Sequence, residues 1–259
     1  MVKGLYTAYT GMINEQNRMD IMTNNLANAS TVGYKKEGST SQSFDDVLTV
    51  KIKDQSVGMR NVQRLGVKNP GVKIGENYTD YSQGSFRITG NTYDLALSGE
   101  GFFAIEFTNK AGETDTKYTR AGQFTLNKDG YLVTEEGDYV LDNQNRRIRL
   151  NTLIDSSITD DGTIYQNGQA VAKILVTDFE DYDYLEKYGE TYYQPIQGAK
   201  TIAAKAQVKS GYLEMANVQI VSEMVNLISI TRAYESNQKV VQTIDDTLDV
   251  AVNQIGRVQ

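Results

Sequence analysis

Three short segments carry residue types that could bind a ligand. Gly99-Glu100-Gly101 has the glycines of a phosphate-binding loop, but the third glycine, the lysine and the following helix are missing. Asn127-Lys128-Asp129-Gly130 and Asp160-Asp161-Gly162 share acidic residues and a glycine with calcium loops. Neither continues to the five or more spaced ligands that such a loop needs. We therefore interpret the first segment as a connection between strands and the other two as turns.

The acidic and aromatic run Asp178–Tyr184 is the remaining candidate for catalysis, because a carboxylate pair could hydrolyse a glycosidic bond. Such a pair must be held at a set separation, which the sequence does not show, so we interpret the run as a solvated loop edge. The chain has no His and no Cys. Ser-His-Asp triads, thiol nucleophiles and the usual zinc and iron–sulfur ligands are thereby excluded. We predict no catalytic residue, no metal, no cofactor and no enzymatic activity.

The overall composition is typical of a folded protein with a core. Of 259 residues, 39% are hydrophobic and 23% are charged, which allows one large domain or two small ones. There are 33 acidic and 26 basic residues, and the formal charge of −7 argues against a general nucleic-acid binder. The N-terminus lacks the apolar region of a cleavable signal peptide, and no run approaches the roughly 18 apolar residues of a membrane span.

Both ends of the chain have helical periodicity. Near the N-terminus, seven positions spaced by three and four residues form one stripe in which Glu15 alone is polar. These positions are Leu5, Ala8, Met12, Glu15, Met19, Met22 and Leu26. The pattern ends in Asn28–Gly33, which is rich in residues that favour turns.

The C-terminal pattern is longer and follows heptad spacing, with eight of nine positions apolar. The positions are Leu227, Ile230, Tyr234, Asn237, Val241, Ile244, Leu248, Ala251 and Ile255. Such spacing predicts a coiled-coil seam. With Asn217 as a plausible N-cap, the helix would be about 58 Å long. Asn237 is either incidental in this seam or fixes its register, as a lone polar seam residue can.

The middle of the chain has the alternation and turn signals of short antiparallel strands, from about Val72 to about Ala206. Asn127–Gly130, Asp160–Gly162 and Asn167-Gly168 each predict a hairpin turn. We expect a mixed α+β fold, with long terminal helices that pair as a coiled coil and an inserted antiparallel all-β body. The predicted domains are a helical domain of residues 1–35 and 210–259, an extended connector of residues 36–71 and a β-rich domain of residues 72–209.

Three blocks of the sequence resemble the bacterial flagellar rod and hook proteins. Asn24–Lys35 is similar to their N-terminal signature, Tyr81–Phe124 to their central body and Gly211–Asn237 to their C-terminal signature. The chain length and the segment Phe44–Asn69 resemble the rod proteins, with the distal rod slightly favoured over the proximal rod. The resemblance implies a non-catalytic subunit that is exported without a cleaved signal. It also implies that the terminal helices form an inner tube and the β domains an outer layer.

On this basis we expect a structural subunit of the basal-body rod that assembles helically and serves motility. The expected partners are other copies of the chain, neighbouring rod and hook proteins and the type III export machinery, without nucleic acid or a membrane span. The expected interface combines the two stripes with the N-terminal block: Leu5, Met12, Met19, Met22, Asn25, Leu26, Asn28, Gly33, Leu227, Ile230, Tyr234, Asn237, Val241, Ile244, Leu248 and Ile255.

Two other functions compete with this expectation. One is a carbohydrate-acting or cell-wall-binding β module with coiled-coil ends, and the other is an adhesin-like β domain. An enzyme needs no long seam, whereas an assembling subunit does. An adhesin would make the block Asn24–Lys35 accidental.

Overall fold

A computed structural model describes residues 2–52, 62–109 and 112–255, and the chain divides into two compact units. The helical unit consists of Met1–Leu26, Glu37–Asp80 and Ile220–Gln259. The β unit consists of Ala27–Lys36 and Tyr81–Gln219. Both units are therefore built from segments that are far apart in sequence, and the chain passes from one unit to the other four times.

Two long helices frame the sequence. Helix α1 is Val2–Ala27 and helix α2 is Ile220–Val250, which continues as a π-helical turn, Ala251–Ile255. The predicted N-cap at Asn217 is wrong, because α2 begins three residues later. The Asn217 side chain instead accepts a hydrogen bond from the Lys36 N–H (2.8 Å).

The two helices touch at points seven residues apart. The position that a Cβ would take on Gly4 lies 3.5 Å from Ile244 Cδ1, and the same position on Gly11 lies 2.9 Å from Asn237 Nδ2. Seven residues forward on α1 correspond to seven residues backward on α2, so the contacting segments are antiparallel. Coiled-coil pairing along the whole of both helices stays a prediction.

The remaining elements of the helical unit are two antiparallel strand pairs. Strand β1 (Glu37–Ser43) pairs with β4 (Val72–Thr79), and β2 (Val47–Ile52) pairs with β3 (Val62–Lys68). Residues 36–71, predicted as an extended connector, thus contain three paired strands. Their polar sequence hides this pairing, because a two-stranded ribbon leaves most of its side chains exposed, as in β1. The contacts group these strands with the helices, whereas the boundaries drawn from sequence remain a prediction.

Sixteen strands, all of which pair antiparallel, make up the β unit. They are β5 Phe86–Ile88, β6 Leu95–Ser98, β7 Phe102–Thr108, β8 Thr114–Thr119, β9 Phe124–Leu126, β10 Leu132–Thr134, β11 Tyr139–Val140, β12 Ser156–Ile158, β13 Thr163–Gln166, β14 Gln169–Lys173, β15 Val176–Phe179, β16 Leu185–Tyr188, β17 Tyr192–Pro195, β18 Thr201–Ala203, β19 Gln207–Ser210 and β20 Tyr212–Glu214. The expected mixed α+β fold with an antiparallel β body is confirmed.

The largest sheet has nine strands. Seven follow the order β16-β17-β8-β7-β11-β10-β9, while β15 pairs with β7 and with β18. Strands β12, β13 and β14 form a separate meander, and the pairs β19–β6 and β20–β5 join the two ends of the unit. The connection through Gly99-Glu100-Gly101 leads into β7, as predicted.

All three predicted hairpin turns are confirmed. Asn127–Gly130 joins β9 to β10, Asp160–Gly162 joins β12 to β13, and Asn167-Gly168 joins β13 to β14. Asn167 and Gly168 have φ values of 51° and 75°, which is the left-handed geometry of a two-residue type I′ turn.

Two groups of buried side chains lie on opposite faces of β7, since successive residues of a strand point to opposite sides. Phe103 belongs to an aliphatic cluster that includes Leu95, Leu97 and Val208. Its neighbour Phe102 belongs to an aromatic cluster with Phe179, Leu185 and Tyr193, against which Tyr81, Tyr118 and Tyr182 pack. Much of the tyrosine content therefore serves packing.

Neither long helix, over the residues described, has an apolar stretch of the length needed to traverse a lipid bilayer.

Candidate functional site

The predicted seam is the less exposed face of α2. Ile230 is 2% exposed, and the other described seam residues are half-buried. These are Leu227, Tyr234, Asn237, Val241, Ile244, Leu248 and Ala251. The Ile255 side chain lies outside the described residues. The contacts of Ile244 and Asn237 with Gly4 and Gly11 show that this seam faces α1.

Helix α1 has two different inward faces. The predicted apolar stripe of Leu5, Met12, Met19, Met22 and Leu26 is half-buried. The most buried face carries polar residues, including Thr10, Asn14 and Asn25, together with Ala8 and Ile21. Sequence reasoning missed this polar face, although its positions also recur every three or four residues.

The polar face of α1 binds the strands of the helical unit. The Asn25 amide donates to the Glu37 carbonyl (2.8 Å) and accepts from the Glu37 N–H (2.9 Å), as a paired strand residue would. One turn-length group further back, the Asn14 amide donates to Ser41 Oγ (3.0 Å). These bonds attach β1 to the helix through side chains, so α1 and β1 form one packed element.

A second apolar stripe on α2 faces solvent in the described chain. Val221, Val225 and Ile228 are 76%, 60% and 53% exposed, and their spacing of four and three residues places them on one side of the helix. On α1, Tyr6 and Tyr9 are also exposed. Contiguous exposed apolar surface marks interaction sites in proteins. Sequence analysis overlooked this stripe because the heptad seam dominated the pattern.

The β unit contains a buried ion cluster, which we call the junction. Glu214 at the end of β20 bonds Lys35 Nζ through Oε1 (2.7 Å) and Arg120 Nη1 through Oε2 (3.2 Å). The three residues are 0%, 1% and 3% exposed. Glu214 Oε1 also accepts from the Gly84 N–H (3.0 Å). One carboxylate therefore joins the segment after α1, the loop before β5 and the segment that leads to α2.

Hydrogen bonds around the junction tie the same segments together. Lys35 Nζ also donates to the Ser82 carbonyl (2.8 Å). Asn217 accepts from the Lys36 N–H and donates to the Ser82 side chain (3.0 Å). Each of these residues lies within three positions of a place where the chain passes between the two units.

Asn28 and Gly33, both predicted at the interface, are buried in the β unit. Gly33 has φ +70°, its N–H donates to the Glu214 carbonyl (2.8 Å), and a Cβ there would collide with the backbone of Ala121. Asn28 accepts a hydrogen bond from the Thr31 N–H (3.1 Å) through its carbonyl. Both residues therefore shape the turn between α1 and the junction.

The acidic run has local structural roles. Asp178 accepts hydrogen bonds from the Phe179 N–H (2.9 Å) and the Tyr182 hydroxyl (2.8 Å), and Asp181 accepts from the Asp183 N–H (3.0 Å). Burial, together with the hydrogen bond to Asp178, raises the pKa of Tyr182, so its phenol stays protonated and donates. Within the described residues, no group of three or more acidic side chains is placed to hold a metal ion.

Comparison with known proteins identifies three matching family models. "Flagella basal body rod protein" matches residues 5–35, "Flagellar hook protein FlgE/F/G D1 domain" matches residues 96–166, and "Flagellar basal body rod FlgEFG protein C-terminal" matches residues 209–255. The first and last matches contain the two helical patterns, and the last contains Glu214.

Full-length relatives agree with these matches. The flagellar basal-body rod protein FlgG of Bacillus subtilis is 34% identical over 272 aligned positions, covering 98% of this chain and 99% of that protein. The flagellar basal-body rod protein FlgF of Caulobacter vibrioides is 32% identical over 260 positions, covering 100% of both. The flagellar hook-basal body complex protein FlhO of Bacillus subtilis is 30% identical over 272 positions, covering 100% of both. The chain therefore belongs to the flagellar basal-body rod protein family.

Proposed function

We propose that the chain is a structural, non-catalytic subunit of the flagellar basal-body rod, and that it works in the basal body as part of the motility apparatus. The observation that carries this proposal is identity to rod proteins over the whole chain rather than over one domain. Its partners in this role are other flagellar rod and hook components.

We further propose that copies of the chain associate with one another in a helical array. The exposed α2 stripe of Val221, Val225 and Ile228 supports this, because each buried Val or Ile side chain contributes on the order of 1.5–3 kcal/mol relative to exposure. The seam residues, such as Ile244 and Leu248, would act by holding the helix pair together. The stripe would then supply the surface that a neighbouring copy covers.

The finer assignment to the distal rod is also a proposal. It is supported by the length of the chain and by the segment Phe44–Asn69, which contains the β2–β3 ribbon. The relatives carry both the FlgG and the FlgF names. Delivery by the type III export machinery is proposed on family membership.

Electron microscopy of the concentrated protein tests the assembly proposal. We expect tubes or short helical filaments from the wild-type chain. Val225→Asp would place a charge in the covered stripe and should abolish them, whereas Asn226→Asp at the adjacent exposed position should not. Filaments that tolerate Val225→Asp would contradict the role of the stripe. A wild-type gene that fails to restore motility to a strain lacking its rod gene would contradict the proposed function.

The carbohydrate-acting alternative predicts a different result. Asp181 and Asp183 are occupied in a local turn, so we expect purified peptidoglycan to release no soluble fragments above a heat-inactivated control. Reproducible release that Asp181→Asn abolishes would support the alternative and contradict a purely structural role.

A further inference from the structure

The first strands of the β unit are paired with its last strands. Strand β6 pairs with β19, where Leu97 lies opposite Val208, and β5 pairs with β20, where Arg87 lies opposite Leu213. More than 100 residues separate the partners in each pair. Val208 is 1% exposed and belongs to the aliphatic core. The unit is thus closed by the segment that is last in chain order.

The charges of the junction follow the same order. Lys35 and Arg120 precede Glu214 by 179 and 94 residues. Both cations are almost completely buried, and Glu214 is the carboxylate that bonds the two of them in the described chain. Removing one partner from a buried ion pair is strongly destabilising because it leaves an uncompensated charge. Without Glu214, two such charges would remain in the folded unit.

We propose that Glu214 is a charge latch. The β unit becomes stable only after residues 207–217 are in place, when β19 and β20 add their strands and Glu214 neutralises Lys35 and Arg120. A chain that emerges N-terminus first, during synthesis or during export, therefore keeps this unit open until its last strands are free. This inference stands on the junction geometry and does not depend on the assembly proposal.

The charge part of the latch is tested by equilibrium unfolding of full-length variants. Glu214→Gln should raise the unfolding equilibrium constant on the order of 100- to 1000-fold. Adding Lys35→Met and Arg120→Met to Glu214→Gln should restore it to within about tenfold of wild type, because no buried cation then lacks a counter-charge. Glu186→Gln, at an exposed carboxylate of the same unit, is the matched control and should change the constant less than about twofold. Failure of the two methionine substitutions to restore stability would overturn the latch.

Its order is tested by pulsed hydrogen exchange during refolding of the full-length chain. In the wild type, amides of the β7–β8 pair should gain protection in the same kinetic phase as those of β20. In the triple variant Lys35→Met/Arg120→Met/Glu214→Gln, β7–β8 protection should precede β20 protection by at least tenfold. Protection of β7–β8 well before β20 in the wild type would overturn the proposal, as would simultaneous protection in the triple variant.

Discussion

At the scale of single residues, close backbone approach matters as much as charge. Gly84 donates its N–H to Glu214, and a Cβ at this position would collide with the Met215 carbonyl. The obstacle is backbone rather than the end of a flexible side chain, so it cannot move aside without displacing β20. Gly84 is therefore needed for the space it leaves free beside the junction.

Gly84→Ala should lower the free energy of unfolding by about 3 kcal/mol, the upper end of the range for overpacking. Gly4→Ala is the matched control. Its new Cβ would make an ordinary contact with Ile244 (3.5 Å), and the helix propensity of alanine should leave stability unchanged or raise it by up to about 1 kcal/mol. Urea denaturation of both variants measures the difference. Equal effects would mean that the approach of Met215 does not constrain residue 84.

A second residue-scale prediction concerns acid stability. Arg147 forms a bidentate pair with Glu106 on β7 (3.0 and 2.6 Å), and this hydrogen-bonded guanidinium lowers the pKa of the Glu106 carboxyl below 4.5. A depressed pKa in the folded state stabilises the fold above the unfolded value and loses that effect as the pH falls through the folded value. The pair is partly exposed, so its contribution is modest, about 0.5–1 kcal/mol.

Arg147→Met should therefore reduce stability at pH 7, and the difference from wild type should shrink as the pH falls below about 4.5. Thermal unfolding from pH 3 to pH 7 measures it. Lys200→Met, which breaks the more exposed pair with Glu180, should leave the profile unchanged. A constant difference between Arg147→Met and wild type across this range would show that the pair contributes through packing instead.

At the scale of elements, α1 is a helix that packs through polar side chains on one side and apolar ones on another. The Asn25 amide replaces a neighbouring strand for Glu37, which lies at the start of β1. Buried amides of this kind are stabilising only while both of their hydrogen bonds are made. The helix and β1 should consequently gain or lose order together.

Asn25→Ala should cost about 2 kcal/mol, because it leaves the Glu37 N–H and carbonyl without these partners. Native-state hydrogen exchange should show faster exchange of the Glu37 amide. Gln16→Ala, at an exposed position of the same helix, should change neither quantity. Unchanged protection of Glu37 would indicate that β4 alone holds β1.

The elements that the sequence predicts correctly are those with local signals. The Asn167-Gly168 turn and the heptad seam through Ile230 depend on neighbouring residues, so their patterns are visible in one chain. The polar face of α1 was missed because Asn14 and Asn25 look like solvent-facing residues until their strand partners are known. The junction was missed because no local pattern marks a carboxylate that binds cations 179 and 94 residues away.

At the scale of the whole molecule, the helical unit and the β unit have separate tasks in the proposed assembly. The exposed stripe and the seam belong to the helical unit, while the aliphatic and aromatic cores belong to the β unit. A substitution in the seam should accordingly disturb association without unfolding the β unit.

Leu248→Asp places a charge on the half-buried seam and should block filament formation and motility, while the β unit unfolds at an unchanged temperature. Gln242→Asp, at an exposed position of α2, is the control and should assemble normally. Filament imaging, motility complementation and thermal unfolding followed by circular dichroism give the three readouts. Normal rods from Leu248→Asp would show that the seam is not needed for assembly. Loss of the β unit in the same variant would contradict the separation of tasks.

The four passages of the chain between the units have a mechanical consequence for a subunit of a rotating shaft. A torsional load that reaches one unit is shared among four covalent strands in parallel, so each carries a fraction of the force that a single tether would bear. Lys35, Ser82 and Asn217, which lie beside these passages, are cross-linked by hydrogen bonds. Strands fastened together at their base twist less independently than free ones, which gives the linkage the character of a stiff spring.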